Sequence, residues 1–163
     1  GCGAADSGSG GEAGESGQVN FRKLRAEDLD RKYIEFTVMG EAALTVLNIW
    51  ATFCSPCIEE MPVLEQIYQE GEVGVVGIVI ESREEEVAQL ALEITTQTGA
   101  TFPILRVTED MEEGFLSGIS AMPTTFFVDA EGNVVGGLFI GSRGELEWKD
   151  TIASVQEEFN EGA

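Results

Sequence analysis

The chain has 163 residues, of which 43% are hydrophobic, and this is enough for one globular domain with a hydrophobic core. Nine basic residues oppose 30 acidic ones and histidine is absent, which gives a net charge of −21 at pH 7. We therefore expect no binding to nucleic acid or to anionic lipid, because too few cations are available to neutralise phosphates. No stretch of the sequence is long and apolar enough to span a bilayer.

Residues 1–18 consist mainly of Gly, Ala, Ser and Glu and show no hydrophobic periodicity. This composition predicts a flexible linker, and we expect the folded domain to occupy residues 19–163. Cys2, followed by small polar residues, resembles the start of bacterial lipoproteins, in which such a cysteine is acylated after a signal peptide is removed. The resemblance implies lipid attachment at Cys2, and the alternative is a free thiol.

Hydrophobic periodicity and turn residues predict alternating strands and helices. In chain order, the predicted strands occupy residues 20–25, 33–36, 44–51, 73–80, 102–107, 124–129 and 133–140. Helices are predicted over residues 55–70, 84–98, 110–116 and 142–159, with a turn or one-turn helix over 38–41. Pro62 should kink the first long helix. The helix over 84–98 is expected to face the core with Val87, Leu90, Ala91 and Ile94. The helix over 142–159 is expected to face the core with Leu146, Ile152, Val155 and Phe159.

The order of these elements predicts the fold class. Strand–helix–strand units in the middle of the chain predict parallel strands joined by right-handed crossovers. The turn over residues 130–133 predicts a late hairpin that adds antiparallel edge strands, and the first two strands predict an N-terminal β-hairpin. We therefore predict an α/β fold of three layers, α/β/α, with a mixed central sheet.

Two cysteines, Cys54 and Cys57, are separated by two residues, after a predicted strand and at the start of a predicted helix. The helix N-terminus carries free N–H groups and a partial positive charge, which favour the thiolate of the first cysteine. Cys57 lies one turn along, close enough to close a disulfide, so the pair can cycle between dithiol and disulfide. The alternatives are inert core cysteines or a structural zinc site, for which three cysteines and no histidine supply too few ligands.

The segment WATFCSPCIEEMP at residues 50–62 resembles the active-site segment of the thioredoxin superfamily, in particular its extracytoplasmic TlpA/ResA-like branch. A second segment, AMPTTFFVD at residues 121–129, resembles the family's landmark of a cis-proline that faces the disulfide. Residues 84–107 are similar to the helix and strand that this branch inserts into the basic thioredoxin pattern. The resemblance covers residues 20–160 and implies a thioredoxin-like fold.

The resemblance also implies roles for the residues around the cysteine pair. Cys54 is expected to attack a client disulfide, and Cys57 is expected to resolve the mixed disulfide that forms. Asn48 stands where thioredoxin has a buried, titratable aspartate, and its amide cannot titrate. The ResA-like proteins instead use a glutamate three residues after the second cysteine, and Glu60 occupies that position as the expected proton acceptor. The alternative for Glu60 is a solvated helix residue.

Four further residues are expected to shape the site. Pro56 limits the backbone in the first helical turn. Trp50 is expected to border the disulfide, with an ordinary core aromatic as the alternative. The resemblance implies a cis bond before Pro123, which leaves the backbone of Met122 open to pair with an extended segment of a client. Further along the chain, Glu81 and Ser82 end a strand at the same side of the sheet and are additional candidates for substrate contact.

The resemblance implies a monomeric, extracytoplasmic thiol–disulfide oxidoreductase that is attached to the bacterial membrane only through its lipid. In the family, such proteins reduce disulfides in client proteins, including the haem-attachment motif of apocytochrome c, and an integral membrane thiol transporter returns the electrons. The Ser-Pro pair between Cys54 and Cys57, without any histidine, favours a reducing site. No cofactor and no metal are expected.

Two other functions are alternatives. A copper-delivery lipoprotein normally has three residues between its cysteines and a distal histidine, whereas this chain has two residues and no histidine. A thiol peroxidase usually places a single cysteine after a Pro-and-Thr pattern, which is absent before Cys54.

Overall fold

A computed structural model describes residues 19–162. The predicted linker over residues 1–18 and the predicted lipid attachment at Cys2 lie outside the described residues. Two short strands, β1 (Arg25–Glu27) and β2 (Tyr33–Glu35), form the predicted N-terminal antiparallel hairpin. β1 begins later than the predicted strand over 20–25, because the chain turns at Arg22 and Lys23, where the Leu24 N–H donates to the Phe21 carbonyl at 2.9 Å.

The rest of the described chain alternates helices and strands. The strands of the central sheet are β3 (Leu44–Trp50), β4 (Gly74–Val79), β5 (Ile104–Arg106), β6 (Thr124–Asp129) and β7 (Val134–Ile140). The helices are α1 (Phe36–Met39), α2 (Ser55–Glu70), α3 (Glu85–Thr98), α4 (Glu109–Glu113) and α5 (Glu145–Gly162), and a 3-10 helix spans Phe115–Gly118. Within residues 19–162, none of the helices has the length and apolar character needed to cross a membrane.

The five central strands form one mixed sheet in the order β5-β4-β3-β6-β7. β3 lies at its centre, parallel to β4 and antiparallel to β6, and all seven of its residues are buried. β4 and β5 are also parallel, in agreement with the predicted strand–helix–strand units. The late hairpin differs from the prediction in one respect: β6 pairs with β3 inside the sheet, and only β7 forms an edge.

Helices and the hairpin cover the two faces of the sheet. On one face, side chains of α2, α3 and α5 join the sheet in a single buried cluster. On the other face, the N-terminal hairpin, α1 and α4 contribute to a second buried cluster. The predicted three-layer α/β/α arrangement is therefore confirmed, and the cysteine pair belongs to the first of these two faces.

Two leucines that were predicted to face the core are exposed instead. Leu146 is 77% exposed and Leu90 is 45% exposed. The buried side of α5 contains Trp148, and the buried side of α3 contains Ala88. Each of these is two residues from the leucine in question, which is about 200° around a helix. Once Trp148 packs against Phe127 of β6, with ring centroids 6.3 Å apart, Leu146 must point away from the sheet.

Candidate active site

The end of β3 leads directly into the cysteine pair. After β3 the chain turns, and the Cys54 N–H donates to the carbonyl of Ala51 at 3.2 Å. Cys54 is the N-cap of α2, with an extended backbone (φ −110°). Pro56 lies in the first helical turn, where the N–H that it lacks would have no partner within the helix. Cys54 and Cys57 form a disulfide whose Cα atoms are 5.3 Å apart.

The two sulfur atoms have different surroundings. Cys54 is half-buried, whereas Cys57 is only 1% exposed. The Cys57 N–H donates to Cys54 Sγ at 3.3 Å, and this hydrogen bond favours a negative charge on that sulfur after reduction. The positive end of a 16-residue helix acts on the same atom. The arrangement therefore suits Cys54 for attack on an external disulfide and Cys57 for a reaction within the protein.

Pro123 lies at the same end of the sheet as the disulfide. The peptide bond between Met122 and Pro123 is cis. Thr124, the next residue, pairs with Ile49 near the end of β3. The Pro123 carbonyl accepts a hydrogen bond from the Gly141 N–H at 2.9 Å. This bond also brings the connection between β7 and α5 to the cysteine end of the sheet.

Glu60, one helical turn after Cys57, carries a carboxyl group that is buried, with 3% of the residue exposed. Its Oε1 accepts a hydrogen bond from Asn48 Nδ2 at 3.4 Å. The same amide nitrogen donates to Thr125 Oγ1 at 3.0 Å, so β6 orients the Asn48 side chain. Asn48 and Glu60, which the sequence singled out separately, are thus in direct contact in the core.

Two residues that sequence reasoning missed complete the surroundings of Glu60. The Glu60 Oε2 atom accepts hydrogen bonds from the backbone N–H of Arg143 at 2.7 Å and from Trp148 Nε1 at 2.9 Å. The Arg143 guanidinium lies over the rings of Phe139 and Trp148, 5.2 and 5.7 Å from their centroids. The one available signal was the tryptophan, because a buried indole N–H usually has an acceptor.

Burial raises the pKa of Glu60 above the ordinary glutamate value, because a carboxylate in the core loses its hydration. The N–H of Arg143, the indole of Trp148, the amide of Asn48 and the charge of Arg143 act in the opposite direction, but burial outweighs them. A carboxyl group with increased proton affinity is suited to accept a proton from a neighbouring thiol.

Trp50 is fully buried and belongs to the same core cluster as Cys57, and Cys54 packs against that cluster. Its Nε1 lies close to the backbone of β4, only 3.3 Å from where a Cβ at Gly77 would be. These surroundings are those of a core aromatic in the cluster that contains Cys57. Phe53, by contrast, is 69% exposed and gives the surface next to Cys54 an apolar character.

Ser82 was a candidate for substrate contact, but it is fully buried and cannot be reached by a substrate. Its hydroxyl donates to the Val79 carbonyl at 2.6 Å and accepts from the Val107 N–H at 2.7 Å, which fixes the end of β4. Glu81, beside it, is exposed. Among residues 19–162 there is no group of three or more His, Cys, Asp or Glu side chains placed to hold a metal ion.

Known proteins with similar sequences are consistent with this site. The Redoxin family model matches residues 38–141. The thiol:disulfide interchange protein DsbE of Pseudomonas fluorescens biotype C is 31% identical over 125 residues, which cover 77% of this chain and 66% of the relative. The thiol-disulfide oxidoreductase ResA of Halalkalibacterium halodurans is 34% identical over 124 residues, which cover 76% of this chain and 66% of the relative. This chain spans just under two thirds of the length of these curated relatives.

Solved structures share the fold. A thiol:disulfide interchange protein of the thioredoxin family from Chlorobium tepidum superposes with a TM-score of 0.71 at 22% identity, covering 89% of this chain and 99% of that one. StoA from Bacillus subtilis superposes with a TM-score of 0.61 at 22% identity, covering 78% of this chain and 93% of that one. The fold predicted from the sequence is confirmed, and the chain is a member of the Redoxin family with a thioredoxin-like fold.

Proposed function

We propose that this protein is a thiol–disulfide oxidoreductase that reduces disulfides in client proteins. The observation that carries this proposal is the asymmetric pair at the start of α2, with Cys54 half-buried and Cys57 buried behind it. The names of the relatives, a thiol:disulfide interchange protein and a thiol-disulfide oxidoreductase, support the same class of reaction.

The proposed cycle starts from the dithiol. The Cys54 thiolate attacks one sulfur of a client disulfide, forms a bond with it and releases the other client sulfur as a thiolate. Cys57 then attacks Cys54 Sγ, which closes the protein disulfide and releases the second client sulfur. Two electrons pass from the protein to the client, and the two client thiolates take up protons. A dithiol donor restores the reduced protein by the reverse exchange.

Cys57 must lose its proton before it can attack, and its burial disfavours the thiolate. We propose that Glu60 accepts this proton, since it follows Cys57 by one turn on the buried side of α2 and has a raised pKa. Trp148 and the backbone of Arg143 hold the carboxyl group by hydrogen bonds. Asn48 acts as a positioning residue, because its amide contacts Glu60 but cannot titrate.

The reducing direction rests on the two residues between the cysteines. Ser55 and Pro56 carry no positive charge that would stabilise the Cys54 thiolate and make the site strongly oxidising. The extracytoplasmic location, the lipid at Cys2, apocytochrome c as a client and a membrane thiol transporter as electron donor belong to the same proposal. They are supported by the resemblance of residues 50–62 and 121–129 to the ResA-like branch.

Variants of the three cysteines test the proposed function. With insulin as the client and dithiothreitol as the electron donor, Cys54→Ser should lower the rate of disulfide reduction to that of dithiothreitol alone. Pre-reduced Cys57→Ser, mixed with insulin after dithiothreitol is removed, should still attack and should accumulate a mixed disulfide with the client, visible by mass spectrometry. Cys2→Ser serves as the matched control and should keep the wild-type rate. Insulin reduction by Cys54→Ser at the wild-type rate would refute the proposal.

A further inference from the structure

A small cavity of about 190 Å³ lies next to the cysteine end of the sheet. Most of its lining is apolar. Five apolar side chains line it, namely Ile80, Val107, Leu116, Ile119 and Met122. Two acidic residues, Glu81 and Glu112, complete the lining. Neither the cysteine chemistry nor the proton transfer described above uses this cavity.

Two of the residues that line the cavity, Met122 and Ile80, are connected to the redox site. Met122 directly precedes Pro123 and packs against both core clusters, including the one that holds Cys57. On the other side, the Ile80 N–H donates to the carbonyl of Trp50 at 2.9 Å, at the end of the strand that leads to Cys54. An extended client segment lying along Met122 with its disulfide at Cys54 would therefore pass the mouth of the cavity.

The size of the cavity restricts what it can hold. Sites for drug-sized ligands have volumes of about 300–1,000 Å³, so 190 Å³ is suited to one side chain and not to a small-molecule substrate. The apolar wall favours a hydrocarbon stem. The cavity therefore fits a single long side chain that projects from an extended client segment.

The two carboxylates determine the charge of that side chain. Glu81 forms no salt bridge with any residue in the described part of the chain, whereas Glu112 pairs with Arg83 at 2.8 Å. The same two carboxylates also border an adjoining depression of about 680 Å³, together with Arg83, Glu84 and Glu85. Glu85 pairs with Arg31 and Arg106, so among residues 19–162 Glu81 and Glu84 are the two acids of this group that form no salt bridge. Such a site favours a side chain that buries an apolar stem and keeps a cationic end among the carboxylates.

We propose that this cavity is a specificity subsite that accepts a lysine or arginine side chain of the client, close in sequence to the cysteine that Cys54 attacks. It rests on the proposed function and adds to it a class of client: disulfides flanked by basic residues. Glu81 is the residue that contacts the cation, because its carboxylate forms no salt bridge within residues 19–162.

The test uses peptides with one internal disulfide that differ at a single position. Lysine, norleucine and glutamate are placed in turn at each position within three residues of either cysteine, since norleucine has the stem of lysine without its charge. Pre-reduced protein is mixed with each peptide at low ionic strength, and peptide reduction is followed by mass spectrometry. At the responsive position, lysine should react about fivefold faster than norleucine, and glutamate should react most slowly.

Variants of Glu81 decide whether the preference arises in the cavity. Glu81→Gln should bring the lysine-to-norleucine ratio close to one, and Glu81→Lys should favour the glutamate peptide. Glu93→Gln on α3 makes the same change in net charge at an exposed position away from the cavity and should keep the wild-type ratio. A ratio that is unchanged in Glu81→Gln, or lowered equally in Glu93→Gln, overturns the subsite.

The outcomes separate the subsite from the function on which it rests. If the wild-type protein reduces all three peptides at equal rates at every position, the subsite is wrong and the oxidoreductase function stands. If it reduces none of them, the proposed function fails, and the subsite fails with it.

Discussion

Glu60 is an acid held in surroundings that oppose its ionisation. Only 3% of the residue is exposed, yet three donors converge on its two oxygens, from Asn48, Arg143 and Trp148. Burial outweighs the donors, so the pKa is raised. The native protein therefore binds the Glu60 proton more tightly than the unfolded chain does. The stability from this group is complete below the ordinary glutamate pKa of about 4.3 and is lost as the pH rises through the higher pKa of the folded state.

We predict that Glu60→Gln slows the second step of the cycle and changes its pH dependence. Glutamine keeps the shape of the side chain but cannot accept the Cys57 proton. The decay of the mixed disulfide should therefore become about 100-fold slower, at the lower end of what a general base contributes. In the wild type this rate should rise with pH through the raised pKa of Glu60, and in the variant that rise should disappear. Stopped-flow measurement of the decay across the acid and neutral range checks both effects.

Two companion variants distinguish a chemical role of Glu60 from a structural one. Trp148→Phe keeps the carboxyl group but removes one donor to its Oε2 atom, so the pKa of Glu60 and the pH at which the rate rises should both move upward. Glu59→Gln alters the exposed neighbour and should change nothing. Wild-type decay of the mixed disulfide in Glu60→Gln would show that another group accepts the proton.

At the level of secondary structure, the element that carries the chemistry was the most predictable. The predicted helix over 55–70 has the bounds of α2. Local sequence marks both of its ends, with Cys54 and Pro56 at the start and Gly71 in the left-handed conformation (φ 78°) at the end. The fully buried β3 was likewise evident from its continuous apolar run.

What the sequence did not reveal depends on contacts between distant elements. Leu146 and Trp148 are both apolar and lie two residues apart, so periodicity alone could not decide which one faces the sheet. Packing of the indole against Phe127 and its hydrogen bond to Glu60 settle the rotation of α5. The Arg143 N–H reaches Glu60 across 83 residues, and no local pattern encodes such a contact.

Glu65, a second carboxyl group of α2, joins the helix to the segment that precedes β5. Its oxygens accept hydrogen bonds from the backbone N–H groups of Thr101 (2.7 Å) and Phe102 (3.3 Å) and from the Thr101 hydroxyl (2.6 Å). Burial raises the pKa of Glu65, but the hydrogen bonds from Thr101, Gln69 and Phe102 outweigh it, and the net shift is downward. Glu65 thus favours the folded state in its ionised form.

We predict that Glu65→Ala lowers the free energy of unfolding by about 1–3 kcal/mol at pH 7, because the two backbone N–H groups lose their acceptor. Since the folded-state pKa of Glu65 is lowered, its contribution is present above the ordinary glutamate pKa and is lost as the pH falls through the lower value. In urea unfolding, the difference in the free energy of unfolding between wild type and Glu65→Ala should therefore become smaller at acid pH.

The matched control for this prediction is Glu59→Ala, which removes an exposed carboxylate from the same helix. It should change the free energy of unfolding by less than about 0.5 kcal/mol, as is usual for exposed positions. Equal losses of stability in both variants would mean that the hydrogen bonds of Glu65 to Thr101 and Phe102 do not contribute to the free energy of unfolding.

For the molecule as a whole, the distribution of charge is uneven. Five of the nine basic residues fall within residues 22–32, whereas from residue 33 onward four basic residues face 24 acidic ones. Part of the basic group is used internally: Arg31 pairs with Glu85 and so joins the N-terminal hairpin to α3. The remaining surface is strongly acidic, and such a surface would attract basic proteins over a distance, in agreement with the basic side chain proposed for the cavity.

The central claim is that Cys54 and Cys57 form a reducing dithiol/disulfide couple, and the reduction potential of this pair tests it most directly. The measurement uses the Cys2→Ser protein equilibrated with redox buffers, so that only one pair of thiols contributes. We predict a single two-electron transition close to the value of thioredoxin, about −270 mV. A potential more than about 100 mV higher would contradict the claim, because such a site would oxidise its clients instead of reducing them.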